Sequence, residues 1–232
     1  MENDNIRGQE SEVKGQKVKT PKSKGREIME WVICIVIAVI LALLVRYYIS
    51  TPTLVQQPSM YPTLIQNERL LLNKWVMTTH GQLNRGDIVT FESPSTILVP
   101  ASMINFNNPV AEYDRKLTNI FSKFAYYVLE TTKTSYIKRI IGLPGEHVQI
   151  QNGKVYINGK VLDEPYLQPD VITKMSDSMF FSDVIVPDNC LFVMGDNREH
   201  SSDSRAFGCI PIDKVESKVF IRIWPLNKWG RV

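Results

Sequence analysis

From Trp31 to Val45 the chain reads WVICIVIAVILALLV, with no charge and no proline. No other segment limits the possible architectures so strongly. As a helix this run covers roughly 22 Å, short of a hydrocarbon core of ~30 Å. Ile28 and Met29 lengthen it on one side. On the other, Arg46 can snorkel while Tyr47, Tyr48 and Ile49 continue the apolar stretch. A single spanning helix over residues 28–49 is therefore expected. A buried core helix is the competing reading, but such helices usually keep one polar face, and this run is apolar all round.

Residues 1–27 are polar and carry Arg7, Lys14, Lys17, Lys19, Lys22, Lys24 and Arg26, a composition expected of a disordered tail. Beyond the apolar run only Arg46 lies close. This asymmetry of basic residues places the N-terminus in the cytoplasm and residues 50–232 on the extracytoplasmic face of the plasma membrane, in a single-pass protein. The basic segment is long for a cleaved signal peptide and no small-x-small site follows, so a retained signal-anchor is expected. The net charge of +3 is too small to argue for nucleic acid, and no basic stripe interleaved with aromatics is present. The 232 residues suffice for one sizeable domain behind the anchor. Cys34 lies in the anchor. Cys190 and Cys209 fall where a disulfide can persist, but spacing alone does not decide whether they pair.

The remainder reads as mainly β. Alternating or β-branched runs occur at Leu70–Asn73, Asp87–Phe91, Ile137–Ile141, His147–Ile150, Val155–Ile157, Cys190–Met194 and Val219–Ile223. Turn signals separate them, including two Asn-Gly pairs, at Asn152-Gly153 and Asn158-Gly159. A folded antiparallel sheet assembly follows from this pattern. One inserted segment, 95–135, departs from it. Between Asp114 and Glu130, Leu117, Ile120, Phe121, Phe124, Tyr127 and Val128 recur at helical spacing. Such an amphipathic helix would ordinarily pack on the sheet; the alternative is a helix lying in a bilayer surface.

Three segments can carry chemistry. Ser59 stands between Pro58 and Pro62 in QQPSMYPTL, ~10 residues past the anchor and so within about 33 Å of the membrane. Lys138 lies in YIKRIIGLPGE, in a strand pattern where Lys138 and Arg139 must point to opposite faces, so that one of the two charges faces inward. A desolvated lysine loses proton affinity, and a neutral amine can take the proton of a serine hydroxyl. The third segment, GDNREHSSDSRAFG from Gly195 to Gly208, is dense in short polar side chains suited to orienting a catalytic pair. A Ser-His-Asp triad would need His80, His147 or His200, none of which has a motif behind it. No HExxH and no paired Cys/His spacing points to zinc, and no cofactor is expected.

Together these segments resemble the type I signal peptidases, the Gram-positive branch in particular. SMYPTL resembles the nucleophile box, RGDIVTF at Arg85–Phe91 the second box, YIKRIIGLPGE the lysine box and GDNREHSSDSRAFG the last box. The resemblance covers residues 28–94 and 136–232, with all four boxes in order. It implies a Ser-Lys dyad, with Ser59 as nucleophile and Lys138 as the base that later protonates the leaving amine. Ser201 would hydrogen-bond and orient the lysine. Asp203 and Arg205 would form an ion pair shaping the loop, with Arg139 in support and Met60 and Pro62 shaping the substrate cleft. The implied partners are secreted preproteins, cleaved after small residues in an Ala-x-Ala pattern while bound as an extended strand that augments the sheet, and the lipid bilayer.

Two departures from the family pattern stand out. Gln57 occupies the position, two residues before the nucleophile, that helps form the oxyanion hole with the Ser59 N–H; Gly or Ser is usual there. Pro58, which follows it, has no N–H to donate. The 95–135 segment is also longer than the family pattern. A self-cleaving repressor-type protease shares the dyad, but no helix-turn-helix pattern precedes Ser59. A catalytically impaired, membrane-anchored binding protein that keeps the fold is the remaining alternative.

Overall fold

The computed structural model describes residues 24–79, 81–96, 105–114, 118–130 and 133–232. Most of the basic tail, together with His80 and Leu117, lies outside the described residues. The chain divides into two units, one ending at Leu41 and the other running from Ala42 to Val232.

The described part of the first unit is helical. The helix, α1, is continuous from Lys24 to Tyr48, has no buried residue, and places Glu27 in its first turn and Arg46 in its last. Both charges sit at the ends that favour them against the helix dipole. Among the described residues α1 is the one helix long and apolar enough to cross a membrane.

The second unit is mainly β, in two antiparallel sheets. Its strands are β1 (Ser50–Leu54), β2 (Arg69–Asn73), β3 (Ile88–Glu92), β4 (Ser135–Gly142), β5 (His147–Gln151), β6 (Lys154–Ile157), β7 (Lys160–Val161), β8 (Asp183–Ile185), β9 (Cys190–Met194), β10 (Ile210–Pro211), β11 (Val215–Trp224) and β12 (Gly230–Arg231). The larger sheet runs β1-β2-β11-β3-β4-β9-β10, with β12 also on β11; the smaller runs β7-β6-β5-β8. In the smaller sheet each Asn-Gly pair closes a two-residue hairpin. Asn152 and Gly153 sit at φ 52 and 74, Asn158 and Gly159 at φ 51 and 76, the left-handed pair such a tight turn requires.

Three apolar clusters hold the unit together. One, with Ile141, Val148, Val155, Phe181 and Phe192, joins the two sheets. A second gathers Val89, Phe91, Ile140, Val193 and Phe207. A third gathers Val55, Met60, Leu64, Leu70 and Ile88. Strand β4 is buried without interruption from Lys138 to Gly142 because both of its faces are covered. Cys190 and Cys209 are free, buried thiols within the first cluster.

Two elements differ from expectation. The helix expected between Asp114 and Glu130 is shorter: α2 spans Ile120–Phe124 and continues as a π-helical turn through Leu129. It does not bury an apolar stripe on the sheet. Only Tyr126 is buried, donating from Oη to Glu92 Oε1 at 2.6 Å, while Ile120 and Phe121 are exposed. Strand β1 has no alternating pattern and contains Pro52; it is an edge strand, where a missing N–H does no harm.

Candidate active site

Pro58, Ser59 and Met60 form a single 3-10 turn after Gln57, which is extended at φ −118 and ψ 152. Proline at the first position presets the turn. Met60 anchors it by entering the cluster of Val55, Leu64 and Leu70. The Gly195–Gly208 segment grips the other side: the Asn197 backbone N–H donates to the Ser59 carbonyl at 3.0 Å and Asn197 Nδ2 to the Pro58 carbonyl at 3.2 Å. Gly195 permits this approach, since a Cβ there would come within 2.5 Å of the Ser59 carbonyl oxygen and would collide with the Ser201 hydroxyl. Gly195→Ala is therefore expected to displace the turn and lower kcat/KM by about 10²-fold, as a shift of ~1 Å can. Steady-state cleavage rates check this; wild-type rates in the variant would mean that the two segments are not tightly packed.

Lys138 Nζ lies 2.8 Å from Ser59 Oγ, and the two residues are only 3% and 8% exposed. The amine also donates to the Ile137 carbonyl at 3.2 Å and sits 5.3 Å from the centre of the Tyr136 ring. Burial pulls its pKa down from 10.5 to about 8; Asp203 and Asp196 pull the other way, and Arg205 adds to the fall. Desolvation wins because no carboxylate is in contact with Nζ.

The adjacent Arg139 is also buried, at 8% exposure, so both charges of the strand face inward, not one. Each has its own environment. Arg139 forms a bidentate pair with Asp196, from Nε at 2.8 Å and Nη2 at 2.7 Å. It also donates to the Gly86 carbonyl at 2.8 Å and stacks 3.9 Å from the Tyr166 ring centre. Thr63 donates to Asp196 at 2.6 Å, which ties the chain after Ser59 to the same carboxylate.

Asp203 and Arg205 are wholly buried and form a bidentate pair at 2.8 and 2.9 Å. Asp203 also accepts from the Gly195 N–H at 3.0 Å. Burial pushes the Asp203 carboxyl up, but Arg205, the Gly195 N–H and Ser201 outweigh it and hold the group below the usual carboxylate range. Arg205 continues the network to the carbonyls of Lys174 and Arg198. Arg198 is buried too, donating to the Gly195 carbonyl at 3.1 Å and Thr173 Oγ1 at 2.7 Å, and pairing with Glu164.

Ser201 does not make the expected hydrogen bond to Lys138. Its hydroxyl is buried without a well-aligned partner, next to Gly195 and Asp203. The amine instead reaches Ser59 and the carbonyl of its own strand.

Ser59 and Lys138 open onto a cleft of ≈ 350 Å³. Thr51–Gln57 form one wall and Thr134–Lys138 the other, with Met60, Leu64 and Leu72 below. Gln57 is exposed on this cleft beside Ser59. Pro62 lies apart, with Tyr61, Asp196 and Asn197 around a neighbouring depression. Of the histidines, His147 pairs with Asp183 across β5 and β8, and His200 is exposed. Among the described residues no group of three or more His, Cys, Asp or Glu is arranged to hold a metal.

Sequence reasoning did not single out Asp196, Thr63, Arg198, Thr173 or Glu164. Asp196 and Arg198 lie inside a recognised segment, where charge in an otherwise buried loop was the available signal. Thr173 and Glu164 carry no local signal, because tertiary folding alone brings them to Arg198.

The family model "Signal peptidase, peptidase S26" matches residues 28–224. Among characterised proteins, signal peptidase I T of Bacillus subtilis (strain 168) is 38% identical over 215 residues, covering 90% of this chain and 92% of that protein. Signal peptidase I S of the same organism is 40% identical over 190 residues, covering 79% and 81%. Signal peptidase IB of Staphylococcus aureus (strain COL) is 32% identical over 216 residues, covering 88% and 93%. With the family model spanning the Pro58–Met60 turn, β4 and the Gly195–Gly208 segment, the chain belongs to the signal peptidase family, peptidase S26, and is a serine endopeptidase of the Gram-positive type.

Proposed function

We propose that this chain is a membrane-anchored signal peptidase I that cleaves secreted precursors after small residues by Ser-Lys catalysis. The observation that carries the reading is the 2.8 Å contact between the Ser59 hydroxyl and a buried Lys138 amine whose charge is disfavoured. Neutral Lys138 takes the Ser59 proton as Oγ attacks the scissile carbonyl. The Ser59 N–H and Gln57 face the developing oxyanion, Pro58 having no donor. The lysine ammonium then protonates the leaving amine, and the acyl-enzyme is hydrolysed by water activated by the same amine. Arg139, Asp196, Asp203 and Arg205 position the dyad without touching substrate.

Two unpaired strand edges support an extended substrate. Among the described residues β1 bonds only to β2, and β4 bonds to β9 only from Arg139 onward, which leaves the Ser135–Lys138 stretch without a described partner strand on that side. Both stretches line the cleft. A precursor segment can add to either edge by main-chain hydrogen bonds, with its side chains alternating toward and away from the floor. The apolar floor of Met60, Leu64 and Leu72 suits small uncharged residues next to the scissile bond. α1 serves as the anchor, with the basic tail cytoplasmic and the catalytic unit extracytoplasmic.

The test uses the full-length protein in detergent and a precursor bearing an Ala-x-Ala site. Cleavage after the second alanine, located by mass spectrometry of the product, is expected. A folded protein that leaves the precursor intact overturns the proposal. The pH profile is a second check. Because Lys138 must be neutral to act, kcat/KM should rise with pH through an apparent pKa near 8 and then level off. A profile still climbing at about pH 10, where an ordinary lysine titrates, would exclude a desolvated base.

A further inference from the structure

The ten-residue helical segment Ile120–Leu129 presents its apolar side chains outward. Phe121 is 83% exposed and Ile120 77%, with Phe124 and Tyr127 also exposed. The segment is pinned at its far end. Arg46, in the last turn of α1, donates to the Leu129 carbonyl at 2.9 Å and pairs with Glu130 at 3.6 Å. Lys74 pairs with Glu130 from the other side at 2.5 Å, and its backbone N–H donates to the Ile49 carbonyl at 2.9 Å. The ion pairs thus fasten the segment to the point where α1 ends, beside the exposed aromatics Tyr47, Tyr48 and Trp75. Aromatic side chains with polar ends favour the boundary between acyl chains and headgroups.

A cluster of exposed aromatic and aliphatic side chains beside the end of an anchor helix has one evident cover, the bilayer that the helix enters. We infer that the Ile120–Leu129 segment lies in the bilayer surface, with Ile120, Phe121 and Phe124 in the acyl boundary, and so fixes the height of the cleft above the membrane. Lys123, exposed among these residues, is placed to meet anionic headgroups. Glu130, the next residue, lines the cleft itself, as does Lys133, so the depth of this segment sets where the cleft meets a membrane-bound precursor. The inference rests on reading α1 as a membrane anchor.

The full-length chain with Cys34→Ser carries a single new cysteine at Phe121, Ile120 or Lys160, the last an exposed position on β7 of the smaller sheet. Cys190 and Cys209 are buried and escape labelling. Each variant is labelled with a polarity-sensitive fluorophore and reconstituted into phosphatidylglycerol–phosphatidylethanolamine vesicles. Doxyl-labelled phosphatidylcholine should quench the labels at 120 and 121 roughly twofold or more beyond the label at 160. Equal quenching at all three positions, in protein that still floats with the vesicles, overturns this inference alone. Labels at 120 and 121 shielded from aqueous iodide yet unreached by the lipid quencher would mean that a second copy covers the face, and would also overturn it. Protein that fails to float overturns the anchor reading and the inference with it.

Discussion

Replacing Lys138 by methionine is expected to abolish precursor cleavage, by ~10⁴-fold or more in kcat, while making the protein more stable at neutral pH. The loss of rate follows from removing the amine that, among the described residues, stands in hydrogen-bond reach of Ser59 Oγ and that the proposed mechanism uses as its base. The gain in stability follows from burial. In the unfolded chain Lys138 is protonated up to about pH 10; in the fold burial lowers its pKa from 10.5 to about 8. Below about pH 8 the folded state therefore carries a buried, poorly solvated charge. At about 1.36 kcal/mol per decade of proton affinity, the displacement costs roughly 3 kcal/mol. The sign is that of a depressed lysine: wild-type stability rises between pH 8 and 10.5, where the unfolded chain holds the extra proton. Methionine has a similar shape and no charge, so the advantage of Lys138→Met should be full near pH 7 and fade above pH 8. For a unit of this size the shift in Tm is roughly 6–12 °C. Urea unfolding and thermal melting at several pH values measure it. A variant that is inactive and also less stable than wild type would show that Lys138 is not buried at a cost.

Asp203→Ala should have the opposite thermodynamic consequence. Asp203 and Arg205 are both wholly buried, and removing the carboxylate leaves the guanidinium with only the carbonyls of Lys174 and Arg198. Stranding a buried charge in this way costs about 3–5 kcal/mol. The pH dependence runs from the depressed carboxyl: its stabilisation is present above its ordinary value of 3.8 and is lost as pH falls through the lower folded value. The gap between wild type and variant should thus be constant near neutrality and narrow only in strong acid. Activity should suffer as well. Asp203 accepts the Gly195 N–H, and Gly195 packs against the turn that carries Ser59. Asp203 also supports the charged form of Lys138 while Arg205 opposes it. Losing Asp203 should therefore move the pH–rate profile of the residual activity to lower pH. Unfolding curves and a pH–rate profile of the folded fraction together test this; an unchanged midpoint would mean that the pair contributes little.

Much of the framework was legible in the chain. The apolar run and its length marked α1. Alternation and Asn-Gly turns marked β2 to β6, β9 and β11, because each of these strands has one face or both in an apolar cluster and so shows its period in the sequence. β1 escaped notice, since an edge strand carrying Pro52 needs no such pattern. The helix near residue 120 was visible as a period, but its direction was not. Helical spacing states that one face is apolar, not what covers that face, and here Ile120 and Phe121 point away from the sheet.

The site divides in the same way. Sequence by itself determined the pairing of Ser59 with Lys138, through four segments in a recognisable order, and determined that a charge in the Ile137–Ile141 run had to face inward. Tertiary structure alone decided that both Lys138 and Arg139 are buried and that they fare differently. Arg139 meets Asp196 at hydrogen-bond distance and keeps its charge satisfied, whereas Lys138 meets a serine hydroxyl and a carbonyl and is driven toward neutrality. It alone decided, too, that Ser201 packs on Gly195 and leaves the amine to Ser59. The physical reason is distance. Local pattern reports which way a side chain points along a strand, but desolvation and charge pairing depend on groups tens of residues away, which only the folded chain brings within a few ångströms.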